Sequence, residues 1–210
     1  MKSRFIFSTL AALFLFSFSG LAQTTVTRSL SSFDKIAISG GFDKVILKEG
    51  STESVTIEVS GIDADKIKTE VKGNTLEIGM KHGSWSNFKA KITVTYKNIR
   101  ELASSGSTDI VAESVIKGDE FEIATSGSGD FTGTFDVREL EVAISGSSDM
   151  HLSGRAEKQE IAISGSGDVD ASALKGSEAE VAISGSGDVK TGVSGKVKTA
   201  VSGSGSVTNN

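Results

Sequence analysis

The chain lacks cysteine and proline, and has only two histidines, one tryptophan and one tyrosine in 210 residues. Without cysteine it forms no disulfide, and no lipobox thiol is present to carry a lipid. Without proline, its bends must fall on glycine, of which there are 24. His82 and His151 make no metal-spaced cluster. No phosphate loop or nucleophile motif occurs, and no segment keeps a long helical period, so helix should be minor. A run of basic residues is also missing. Lys and Arg number 22 against 27 Asp and Glu, and an acidic chain of this kind argues against nucleic acid and anionic membrane surfaces as partners.

The N-terminus reads as an export leader over residues 1–22. Lys2 and Arg4 form its charged start, Phe5 to Phe18 is apolar, and Gly20-Leu21-Ala22 supplies small residues before a cut at Gln23. A membrane anchor would need a longer apolar run and a basic stop signal. Cleavage leaves a chain long enough for one domain or two small ones, with no membrane span. The expected location is the periplasm, the outer membrane or the outside of the cell.

What is abundant is a repeat. Ile163-Ser164-Gly165-Ser166-Gly167-Asp168-Val169 returns unchanged at Ile183 to Val189, and looser copies lie at Ser105, Ser126, Ser145 and Ser202. The acidic position moves from Asp109 to Asp130, Asp149, Asp168 and Asp188, then to Ser206, in steps of 21, 19, 19, 20 and 18 residues. A near-fixed period of this length is the signature of a solenoid. Around one copy, Ile161, Ile163, Gly165, Gly167, Val169 and Ala171 share one parity; Ala162, Ser164, Ser166 and Asp168 share the other. Strand side chains alternate faces, so the first set points inward and the second outward. Glycine at two inward positions marks a corner where a Cβ would crowd the interior. A flexible Gly/Ser linker would lack this alternation.

Residues 23–100 form an N-terminal β region with longer strands, and residues 101–210 hold the short coils, continuous with it. In the first region Phe33 to Leu47 reads as strand, Gly bend and strand, and Lys72-Gly73-Asn74 reads as a hairpin turn. Ile62 to Ile67 reads as a short helical turn.

Phe33…Ile36-Ala37-Ile38…Gly41-Phe42…Val45, then Thr75-Leu76-Glu77-Ile78 and Ile92-Thr93-Val94, then the Ser-Gly-Ser-Gly-Asp-Val copies, form a pattern over residues 30–207. It resembles the putative auto-transporter adhesin, head GIN domain family of exported bacterial proteins, common in Bacteroidetes. The resemblance implies an all-β, right-handed parallel β-solenoid, with coils of about 20 residues in the C-terminal half. It implies an adhesin-like role and offers no catalytic residues. Members often carry a proline near the position of Tyr96-Lys97-Asn98, which this chain does not. A literal Gly-Ile-Asn is also absent.

Two groups are candidate ligand contacts. Asp130, Asp149, Asp168 and Asp188 should form an outward column, either capped by backbone N–H groups or neutralised by Ca²⁺. His82, Trp85 and Phe88 sit on the one loop with large side chains, which either stacks on a partner or covers an end of the solenoid. No cofactor or metal is expected. The expected function is a non-catalytic binding or structural module at the cell envelope, its partner an unknown glycan or protein, with an oligomer left open. The alternatives are a polysaccharide-active enzyme on the same scaffold and a Ca²⁺-stabilised structural module. Short turns leave little material for a cleft, so binding is expected on a flat outer face or on the Trp85 loop.

Overall fold

The computed structural model describes residues 23–83 and 85–210; the expected leader, residues 1–22, lies outside them. Among the described residues fifteen strands form one sheet that wraps into a solenoid with two walls around a shared core. The first region contributes β1 (Thr24–Ser29), β2 (Lys35–Gly40), β3 (Lys44–Glu49), β4 (Ser54–Ser60), β5 (Ile67–Lys72), β6 (Thr75–Met80) and β7 (Lys89–Tyr96). Next come β8 (Glu101–Gly106), β9 (Ile110–Ala112) and β10 (Ile116–Gly127). The long strands β11 (Phe131–Gly146), β12 (Met150–Gly165), β13 (Val169–Gly185) and β14 (Val189–Gly203) follow, then β15 (Val207–Asn209).

The parallel solenoid is as expected, with identical residues stacked on one another. Gly146 pairs with Gly165, Gly165 with Gly185, and Gly185 with Gly203. Parity also holds. Ile161, Ile163, Val169 and Ala171 are buried, while Ala162, Ser164, Ser166 and Asp168 are exposed. Columns such as Val142-Ile161-Val181 and Ile144-Ile163-Ile183 therefore stack through the core. Each such buried side chain contributes about 1.5–3 kcal/mol of transfer free energy. No coil could bury this face alone, and stacking supplies the missing half.

The corner glycines have a different cause from the one their parity implies. Gly165 and Gly185 take φ of +145° and +144°, and a Cβ on either would drive into the carbonyl oxygen of the equivalent glycine one coil below. The conflict runs along the stack rather than into the interior. Glycine is required because consecutive corners sit one strand spacing apart with their carbonyls in line.

The N-terminal strands join the same walls, but not in chain order. On the first wall the order is β5, β6, β2, β8, β10; on the second it is β1, β4, β7, β3, β9, β11. Thus β6 and β7 stack outside β2 and β3, which in turn stack against β8 and β9. The parallel stack ends in antiparallel pairs, β5 on β6 and β4 on β7. The Gly73-Asn74 turn joins β5 to β6, as the hairpin reading requires. The expected helical turn is a 3₁₀ turn, Ala64–Lys66, which crosses this end and buries Ala64. Arg28 of β1 locks it there, donating to the carbonyls of Ala64 and Ile67 at 2.7 Å each and to Thr69 Oγ1 at 2.8 Å.

Candidate functional site

The first wall carries an outward pattern repeated seven times: Ala37-x-Ser39, Ala103-x-Ser105, Ala124-x-Ser126, Ala143-x-Ser145, Ala162-x-Ser164, Ala182-x-Ser184 and Ala200-x-Ser202. The register aligns all the alanines in one row and all the serines in a second. Seven coils at about 4.8 Å span roughly 29 Å. Over these rows lies an elongated groove of about 1610 Å³, open to solvent and floored by the alanine and serine side chains. Lys68, Glu77, Met80, Lys81 and His82 close its end at the N-terminal strands. The expected flat outer face is therefore corrected. The regular face carries an elongated hollow over the Ala and Ser rows. The signal was present in the sequence as Ala-x-Ser before every corner.

Beside the alanine row runs a row of acids, Glu101, Glu122, Glu141, Glu160 and Glu180, again in register. Its ends are neutralised within the molecule. Glu101 pairs with Lys35, Glu160 with Lys158 at 3.6 Å, and Glu180 with Lys198 at 3.2 Å. Burial, with Glu122 and Glu160 nearby, pushes the Glu141 carboxyl above its usual range.

The aspartate column lies past the glycine corner, outside the groove. Each carboxylate accepts the backbone N–H of the next: Asp130 N donates to Asp109 Oδ1 at 3.2 Å, Asp149 N to Asp130 at 3.2 Å, and Asp168 N to Asp149 at 3.0 Å. Asp188 N donates to Asp168 at 2.8 Å, and Ser206 closes the ladder on Asp188 with both N–H and hydroxyl at 2.8 Å. A bond of this kind offsets much of the repulsion along the column. Among the described residues no group of three or more His, Asp or Glu is placed to hold a metal ion. Asp170 does not join Asp168. Its Oδ1 accepts from the N–H and hydroxyl of Ser172, and these bonds hold its carboxyl below the ordinary value.

The Trp85 loop occupies the place where the other coils make their glycine corner. Phe88 is half-buried and packs against the core. Trp85 is also half-buried; its indole N–H donates to Lys81 O at 3.0 Å, and the Lys66 ammonium lies 5.5 Å from its ring centroid. His82 is exposed and reaches the end of the groove. The structure therefore brings only His82 to the groove. Phe88 serves the end of the core, and the Asp column stands apart at the corner.

Fold and surface together define a capped parallel β-solenoid with a regular grooved face. The chain belongs to the family described as putative auto-transporter adhesin, head GIN domain, whose model matches residues 32–210. It is similar in structure to a putative adhesin from Bacteroides fragilis, 19% identical, covering 91% of this chain and 98% of that one with a TM-score of 0.72. It is also similar to a putative lipid binding protein from Parabacteroides distasonis, 20% identical, covering 90% and 96% with a TM-score of 0.65. A putative adhesin from Parabacteroides merdae, 19% identical, covers 90% and 96% with a TM-score of 0.64. These likenesses show the fold. No curated protein matches the chain. Among the described residues no helix is long and apolar enough to cross a membrane.

Proposed function

We propose that the chain is an exported, non-catalytic, adhesin-like module of the cell envelope that holds an extended partner along its grooved wall. The observation that carries this reading is the register of the Ala and Ser rows over seven coils. A groove about 29 Å long suits a polymer or a polypeptide better than a compact metabolite, which takes an enclosed pocket. The non-catalytic part rests on the placement of acids. A glycosidic site needs a free acid and a partner carboxylate across a cleft. Here Asp168 is bonded along the ladder and Asp170 to Ser172, while Glu122 and Glu141 lie side by side on one wall rather than across a cleft. The family description supports a surface role.

The test is a glycan array and an affinity capture from envelope extracts, using the wild type and Ala143→Tyr. Ala143 is half-exposed at the groove floor, so tyrosine fills the groove without entering the core. Loss of the captured partner in this variant is expected; undiminished capture defeats the reading. Trp85→Ala, and Asp149→Ala combined with Asp168→Ala, should leave capture intact. A lipid is the second reading. The alanine floor favours it, as does the name of the Parabacteroides distasonis relative. Co-sedimentation with neutral vesicles tests it directly.

A further inference from the structure

The glutamate row beside the groove is neutralised at both ends and open in the middle. Glu122 and Glu141 lie on consecutive coils, directly in register, and neither makes an ion pair among the described residues. Two carboxylates about 4.8 Å apart repel. Unlike the aspartates, they have no ladder of N–H donors, because the backbone of this wall is consumed by sheet pairing. The row thus concentrates negative charge beside the half-exposed alanine floor at Ala124 and Ala143.

The geometry selects the form of a polypeptide that could supply a cation there. The groove lies on a sheet face rather than an edge, so an added strand finds no free ladder. A strand lying along the solenoid would present like side chains every ~6.6–6.8 Å, out of step with coils at about 4.8 Å. An α-helix presents successive turns every ~5.4 Å, close to the coil spacing, and fills a 29 Å groove with about 19 residues. Small side chains on the floor let a helix backbone approach closely. We propose, building on the grooved-wall reading above, that the partner is a cationic amphipathic helix of another protein. Its apolar face rests on Ala124 and Ala143, and basic residues on successive turns pair with Glu122 and Glu141.

The probe is a fluorescent 19-residue helical peptide of leucine and lysine, titrated into the purified protein by anisotropy. Two peptides serve as controls: one with glutamate for lysine, and one with the same composition scrambled so that no apolar face forms. The Leu/Lys helix should bind, more weakly as salt rises. Both controls should fail. E122Q combined with E141Q should weaken binding by about fivefold or more, the scale of two exposed ion pairs. That variant removes repulsion, so its melting temperature should not fall. Ala143→Tyr should abolish binding. If E122Q/E141Q binds as tightly as wild type while Ala143→Tyr does not, the cationic helix is wrong and the groove stands. If neither variant weakens binding, both fall. Equal binding of the scrambled peptide, or no binding of the Leu/Lys helix, overturns the inference. So does capture of neutral vesicles that Ala143→Tyr prevents and the peptide does not compete with.

Discussion

A single methyl group at a corner should test the stacking logic. Gly165 sits at φ +145°, and its added Cβ would meet the carbonyl oxygen of Gly146. That oxygen also accepts the Ser166 N–H at 2.8 Å, and Gly165 O accepts the Ser186 N–H at 2.9 Å. Gly165→Ala must therefore both hold alanine in a conformation costing about 1–3 kcal/mol and push the coils apart. Pushing loses a bond worth about 1 kcal/mol. The expected loss is about 2–4 kcal/mol, read as a lower urea midpoint with an unchanged slope. Gly41→Ala is the matched control, since its Cβ meets nothing within 4 Å and its φ is ordinary. Ser166→Ala, on an exposed outward position, should move the midpoint by less than about 0.5 kcal/mol. If Gly165→Ala melts with the wild type, or if Gly41→Ala loses as much, the corner explanation is wrong.

Other consequences are checked by similar means. Asp149→Ala removes the acceptor for Asp168 N–H and should cost about 1 kcal/mol, whereas Asp149→Asn keeps an acceptor and should cost less in the same urea titration. Chelator should leave the melting temperature unchanged, and a fall restored by Ca²⁺ would reassign the column to metal. Arg28→Met leaves the carbonyls of Ala64 and Ile67 without their donor, so calorimetry should show a loss of about 2 kcal/mol or more. Lys68 and Lys72 hold the Glu77 carboxyl down at about 2. Its contribution is present above the unfolded carboxylate range and is lost as pH falls toward 2, so Glu77→Gln should flatten that acid limb. Burial pushes the Tyr96 phenol up to about 12, and its hydroxyl has no hydrogen-bond partner among the described residues. Stability from this group is full below pH ~10 and falls as pH rises toward 12. Tyr96→Phe should remove that alkaline loss and leave neutral stability equal or higher.

The C-terminal coils were legible because two periods coincide there. Side chains alternate with period 2, and identical heptapeptides return after one coil, so parity and register follow from Ile163 and Ile183 alone. The stacking order of the N-terminal strands was not legible. Nothing local distinguishes Thr75-Leu76-Glu77-Ile78 from Ile36-Ala37-Ile38 as the inner or outer layer. The choice depends on which strand meets β8, a contact between residues 66 apart at Lys35 and Glu101. The groove was half legible. Ala162 and Ser164 read correctly as outward, but the groove over them ends at Lys68, Glu77, Lys81 and His82, which belong to the N-terminal strands whose order was not legible.

The two acidic columns show how one fold handles one problem in two ways. At the corner, the turn leaves backbone N–H groups free to point outward, and Asp is short enough to receive them. The column from Asp109 to Asp188 thereby satisfies its own charge. On the wall, the backbone at Glu122 and Glu141 is paired in the ladder with the coils on both sides, and Glu carries its carboxylate away from the backbone. That row can be relieved only by lysine, and Lys35, Lys158 and Lys198 relieve it in part. The corner column is therefore structural by chemistry, despite being the most conspicuous repeat in the sequence. The wall row, with Glu122 and Glu141 outside any ion pair among the described residues, is where added positive charge would lower the energy. On this contrast we place the proposed partner at the grooved wall rather than at the Asp corner.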